Sequence, residues 1–197
     1  MGRVRQMLGR PVVIGALAVA VLAAAFGAYW FQPWKLWQDE TVREELPVAA
    51  STPTPAPTGT PPKDAPAGDT ASEPPAPPAE PKTLVGGELV THEHKTTGTA
   101  RVLELPDGSR TLRLEGLDTS NGPDLRVWIT DAPVIEGKAG WGVFDDGKYQ
   151  DLGKLKGNKG DQNYALPADL DLGEYTSVSI WCDRFDVSFG AAELAAA

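Results

Sequence analysis

Between Pro11 and Phe31 the chain carries no charged side chain, and no other feature limits so tightly what this polypeptide can become. The twenty residues from Val12 to Phe31 are apolar or small apart from the Tyr29 phenol. At ~1.5 Å rise per residue a helix of that length covers roughly 30 Å, the hydrocarbon thickness of a bilayer. Arg3, Arg5 and Arg10 precede the run, whereas Lys35 after it is soon joined by Asp39, Glu40, Glu44 and Glu45. The basic bias predicts a cytoplasmic N-terminus over 1–10 and an extracytoplasmic remainder. Tyr29, Trp30, Phe31, Trp34 and Trp37 cluster at the far end, where amphipathic rings favour the headgroup zone.

A cleaved signal peptide is the alternative, with Ala23-Ala24-Ala25 as a cleavage site. The run is long for a signal, and an aromatic belt serves nothing in a peptide that is removed. A buried soluble helix fits worst, because nothing else in the chain could pack around it. Membrane anchor and signal peptide alike place the rest of the chain outside the cytoplasm.

Composition then divides the remainder. Residues 47–82 hold 12 of the 18 prolines and no aromatic residue. Such a segment cannot bury enough apolar surface to offset its ordering entropy, so a disordered linker is expected. In polyproline II form, at ~3.1 Å per residue, it would reach about 110 Å at most, a stalk across a wall or periplasm. A docking motif for a proline-binding module is the lesser reading. The expected organisation is thus a cytoplasmic end (1–10), a transmembrane helix (11–31), a juxtamembrane segment (32–46), the linker (47–82) and a folded domain (83–197). The formal charge of −9 argues against a nucleic-acid partner, which needs a basic footprint.

The domain reads as all-β. Thr99–Leu105 meets the turn Pro106-Asp107-Gly108-Ser109, and Arg110–Leu117 follows with Leu112 and Leu114 on one face and Arg113 and Glu115 on the other. Asn121-Gly122-Pro123 marks another turn. Leu125, Val127 and Ile129 alternate with Arg126, Trp128 and Thr130, the pattern of a half-buried strand. Asp146-Gly147, between Val143-Phe144 and Lys148-Tyr149, suggests a hairpin, and Gly157 and Gly160 bracket one more turn. Many short strands at this spacing predict an antiparallel sandwich or barrel. Val178, Ile180 and Cys182 share one strand face, opposite Ser177, Ser179 and Trp181, but the next apolar residues, Phe185, Val187 and Phe189, lie in the other phase. A strand cannot slip phase without a bulge or a break. Cys182 is therefore expected to point inward, just before a backbone irregularity near Asp183-Arg184.

Cys182 is the chain's one cysteine, so an internal disulfide is excluded. It can be a small buried hydrophobe, a redox thiol, a ligand to a metal or haem, or a cysteine that pairs with a partner protein. Arg184 favours a thiolate, while Asp183 and Asp186 oppose it. The two histidines, His92 and His94, would share one face of a strand and, with Cys182, form a His/His/Cys set of the type that suits copper or zinc. The plain alternative leaves both in solvent. Asp169-Leu170-Asp171-Leu172-Gly173-Glu174 lacks the full twelve-residue calcium pattern and reads as a capped acidic loop. No nucleophile elbow, phosphate loop, CxxC or HExxH occurs.

Several of these stretches, taken in order, resemble the DM-thirteen domain family. They are His94-Lys-Thr-Thr-Gly98-Thr-Ala100, Leu105-Pro-Asp-Gly-Ser-Arg-Thr-Leu-Arg-Leu114, Asp118-Thr-Ser-Asn-Gly-Pro-Asp-Leu125, Asp151-Leu-Gly-Lys-Leu-Lys-Gly157, Gly160-Asp-Gln-Asn-Tyr164 and Ser179-Ile-Trp-Cys182-Asp-Arg-Phe-Asp-Val-Ser-Phe-Gly190. The resemblance covers almost all of 84–194 and departs only near Leu117, where an aromatic is usual. It implies a β-sandwich-like fold and a proposed electron-transfer role. It also implies that Cys182, at the position of the family's hallmark cysteine, acts as a bare thiol or as a ligand to a group such as haem. His94 is then an accessory candidate for cofactor binding, and a redox partner protein is implied. The competing reading is a non-catalytic binding module with a buried structural Cys182 and the Asn121–Asp124 loop at a recognition surface. No motif supports a hydrolase.

Overall fold

A computed structural model describes residues 11–47 and 80–196. Helix α1 (Pro11–Phe31) has no buried residue and is long and apolar enough to cross a membrane, a property it shares with signal sequences. Gln32, in the left-handed region with φ 44°, redirects the chain into a short 3-10 helix over Pro33–Trp37. The proline-rich linker expected over 47–82 lies, apart from its ends, outside the described residues.

The described residues form eleven strands: β1 (Thr41–Arg43), β2 (Lys82–Glu88), β3 (Val90–Thr91), β4 (Thr97–Glu104), β5 (Arg110–Asp118), β6 (Leu125–Thr130), β7 (Tyr149–Lys154), β8 (Lys159–Ala165), β9 (Ser177–Cys182), β10 (Val187–Glu193) and β11 (Ala195–Ala196). They make two sheets, ordered β1-β8-β5-β4-β2-β11 and β3-β10-β9-β6-β7. Only the β1–β8 pair is parallel. The inner faces meet as the alternation demands: Ala100, Val102, Leu112 and Leu114 from one sheet pack with Val127, Ile129, Val178, Ile180 and Cys182 from the other in one core. The expected all-β antiparallel architecture is the one observed, and it is the sandwich form. Pro106–Ser109 joins β4 to β5, with Gly108 at φ 81°, as the turn residues require.

Two local expectations are corrected. Strand β6 is not half-buried, because Trp128 is only 4% exposed and Thr130 is fully enclosed. Nor do residues 143–149 form a hairpin about Asp146-Gly147; only Tyr149 belongs to a strand. The physical reason is shared. Residues 131–148 fold as a long connection over the outer face of the second sheet, and Phe144, fully buried, joins Trp128, Trp181 and Ala191 in a second small core. A sheet covered on both faces loses the period-2 polarity of a half-exposed one, and all six residues of β9 are buried.

The segment at 32–46, read from sequence as juxtamembrane, contributes β1, so the sheet begins well ahead of residue 83. Thr41, Val42 and Arg43 pair with Lys159, Gly160 and Asp161. Asn158 accepts the Glu40 amide at 2.7 Å and donates to Asp39 at 2.9 Å and to the Thr119 carbonyl at 2.8 Å. Glu44 accepts the Asn163 amide at 2.6 Å and the Lys156 ammonium at 2.7 Å. Arg113, on the β5 face opposite Leu112 and Leu114, is buried beneath this segment and donates to the Glu44 carbonyl at 3.1 Å. Gly160 makes the approach possible: it sits at φ +95°, and a Cβ there would run into the Val42 carbonyl. Gly160→Ala should therefore cost about 1–3 kcal/mol, the scale of a residue forced into a disfavoured backbone region. Limited proteolysis should show new cleavage within 39–46, and the melting temperature should fall.

Candidate functional site

Cys182 is the last residue of β9, opposite Leu125 of β6 and Val187 of β10. The chain then turns through 183–186, with Asp186 at φ 50°. Along β10, Ser188 faces Trp181 and Gly190 faces Ile180, which leaves Phe189 as the extra residue of a bulge. The turn is the source of the hydrophobic phase slip legible near Asp183-Arg184, and the bulge reverses it, so that Ala192 lies in the inter-sheet core and Ala191 on the outer side. Cys182 points inward as expected and is fully buried in the inter-sheet core beside Leu125 and Phe189. Burial pushes the thiol pKa up. The backbone groups of Arg184, Asp124 and Phe185 hydrogen-bond so as to favour the thiolate and offset part of that shift, and the Glu93 charge adds to it. At neutral pH the sulphur is therefore an S–H, not a thiolate.

The turn over Cys182 is held from two sides. On the domain side the Asp183 amide donates to the Asp124 carbonyl at 3.0 Å, and the Phe185 amide to the Cys182 carbonyl at 3.1 Å. Arg126 gathers the surrounding acids, Asp151 at 2.5 Å, Asp183 at 3.5 Å and Asp124 at 3.7 Å. Sequence reasoning missed Arg126 as an organiser, because no spacing links it to Asp183; only the pairing of β6 with β9 does. On the other side the turn meets the end of α1. Arg184 donates to the Trp30 carbonyl at 2.8 Å and lies 5.2 Å over the Trp30 ring. Phe185 stacks on Phe31 with centroids 5.6 Å apart.

The histidines are not brought together. β3 ends at Thr91 and the chain bends through 92–94, so the shared strand face expected for His92 and His94 does not exist. His92 is buried on the outer layer, with Nδ1 2.8 Å from the Ser188 hydroxyl, which also receives the Ser179 hydroxyl at 3.0 Å. His94 packs on Phe189 at 4.0 Å between centroids, with the Glu93 carboxylate 3.8 Å from its Nε2. Among the described residues no three His, Cys, Asp or Glu side chains are grouped to hold a metal.

A haem fits no better. Cys182 has no exposed surface on which an iron could approach. The cleft beside His94 measures about 220 Å³, below the roughly 300–1,000 Å³ usual for drug-sized ligands and cofactors. On the outer face, Trp181 stacks on Trp128 at 4.9 Å and Trp128 on half-exposed Tyr149 at 4.0 Å.

A family model described as Electron transfer DM13 matches residues 88–194, more than half of the 197. The chain belongs to the DM13 family. No curated protein and no solved structure matches it. The DM13 match takes in His92, His94, the Asn121–Asp124 loop and Cys182, whereas α1 and β1 lie outside it.

Burial lowers the His92 pKa, opposed by the backbone of Ile135. The unfolded chain therefore binds a proton first as pH falls past about 6.5. The stability held above that value is lost progressively down to the lower native value. Thermal melts from about pH 7 to about pH 5 should show a falling melting temperature. His92→Gln should show a smaller fall, even if it melts lower at neutral pH.

Proposed function

We propose that this chain is a membrane-tethered, extracytoplasmic electron-transfer module in which the Cys182 thiol itself is the redox centre. The observation that carries the reading is the coincidence of an electron-transfer family match with one cysteine held under a braced turn. One-electron oxidation leaves a thiyl radical: the electron goes to the acceptor and the S–H proton to water at the 183–186 turn above the sulphur. The acceptor is a partner protein, and the Tyr149–Trp128–Trp181 stack offers an aromatic path from half-exposed Tyr149 to the residue preceding Cys182. The tether rests on the charge-free α1, the arginines before it and the aromatic residues at its far end. His94 is an accessory that packs the Phe189 bulge rather than a ligand. The absence of a metal-holding group among the described residues and the enclosed sulphur favour a bare thiol over a coordinated one.

A second reading has a specific observation behind it. A sulphur with no exposed surface and an upward-shifted pKa is also what an inert core cysteine looks like, and the domain would then be a binding module. One preparation separates the two. The full chain is purified in detergent, and its visible spectrum, metal content and response to stepwise electrochemical oxidation are recorded beside those of Cys182→Ser. The proposal expects a colourless, metal-free protein whose oxidative response is lost in Cys182→Ser. An identical response from both, with a thiol that reacts only after unfolding, would overturn it in favour of the binding module. A coloured protein that bleaches in Cys182→Ser would overturn the bare-thiol form.

A further inference from the structure

A cleft of about 220 Å³ opens where the apolar helix meets the domain. Its walls are aromatic. Phe31 and Phe185 stack on one side at 5.6 Å, and His94 and Phe189 on the other at 4.0 Å. Pro33 and Leu36 of the 3-10 helix and the Asn121–Pro123 turn contribute to the rest of the lining. The volume exceeds the roughly 150 Å³ of an apolar cavity known to take benzene. One substituted six-membered ring therefore has room here.

The chemistry of the rim selects among membrane-borne molecules. Lys35, Asn121 and His94 offer N–H donors, but Glu93 places a carboxylate at the same rim, 3.8 Å from the His94 ring. A phosphate would meet that negative charge, and it lacks the paired cations that phosphate recognition relies on. A neutral ring bearing carbonyl acceptors carries no charge for the Glu93 carboxylate to repel and can accept from the donors beside it while lying on flat apolar faces. The cleft also begins at the last residue of α1. If α1 spans the bilayer, this is headgroup level, where a ring on a hydrocarbon tail enters sideways without leaving the lipid.

We infer that this cleft binds the ring of an isoprenoid quinone, with the exposed rings of Phe31 and Phe185 as stacking faces and His94, seated on Phe189, as donor to a ring carbonyl. The inference rests on the electron-transfer reading, since a quinone is the electron carrier that a membrane itself supplies. It also ties the cleft to the candidate centre. Phe185 lines the cleft with its ring and hydrogen-bonds to Cys182 with its backbone.

The test is calorimetric titration of the full chain, in detergent, with a decyl-chain benzoquinone. Parallel titrations use His94→Ala and Phe185→Ala, whose side chains lie at the surface and whose folding is checked by thermal melting. Saturable one-to-one binding is expected, weakened at least tenfold in each variant. Heat that matches partition into empty micelles would overturn the proposal, as would equal affinity in wild type and both variants. Displacement of the quinone by a short-chain phospholipid at equal concentration would also overturn it, by assigning the cleft to lipid. Binding heat does not require a redox-active thiol. A chain that binds quinone yet shows no Cys182-dependent oxidation therefore keeps this site and loses the electron-transfer reading.

Discussion

The backbone from Asp39 to Glu45 is held along the edge of β8 by a parallel ladder at 41–43 and by the side chains of Asn158, Glu44 and Asn163. Nine residues, 32–40, are all that separate this ladder from the end of α1. A connection that short cannot let the domain drift away from the helix. It sets Trp30 and Phe31 against the turn at 183–186, and that turn is the cover of Cys182. The aromatic cleft and the seat of Arg184 depend on this one edge pairing, while the thiol beneath the turn is enclosed by the inter-sheet core.

The same pairing changes what the proline-rich stretch can do. It leaves β1 and returns at β2, and both strands belong to one six-stranded sheet. Four strand spacings separate them, about 19 Å at ~4.8 Å each. A segment able to reach about 110 Å when extended thus starts and ends on the same body, and its length does not set the distance between helix and domain. Its entropy of closure grows only slowly with length, so a long, low-complexity connection is tolerated here.

Alternation made much of this legible in advance. Leu112 and Leu114 face the core, the Pro106–Ser109 turn falls where its residues demand, and Cys182 sits inward before the break implied by the shift in phase after it. Features fixed by tertiary covering were not legible. Trp128 and Thr130 read as an exposed face, but both are buried, and Phe144 from residues 131–148 joins Trp128 in the outer core. Alternation puts Arg113 on the face opposite Leu112 and Leu114 but does not show that the strand from before the linker covers it. Gly157 and Gly160 read as turn residues, whereas their lack of a Cβ serves the approach of Glu40 and Val42. His92 and His94 diverge because a bend replaces the strand that would have aligned them. In each case the deciding partner is remote in sequence, where local periodicity carries no information.

The central claim is that the end of the apolar helix and the cover of Cys182 form one packed unit. The most direct check places cysteines at Phe31 and Phe185, whose rings stack at 5.6 Å, in a Cys182→Ser background of the full chain in bilayer discs, and adds a short thiol-to-thiol crosslinker. Rapid intramolecular crosslinking of the folded chain, lost on unfolding, is the predicted result. A folded chain in which both thiols are labelled singly and no crosslink forms would contradict the account.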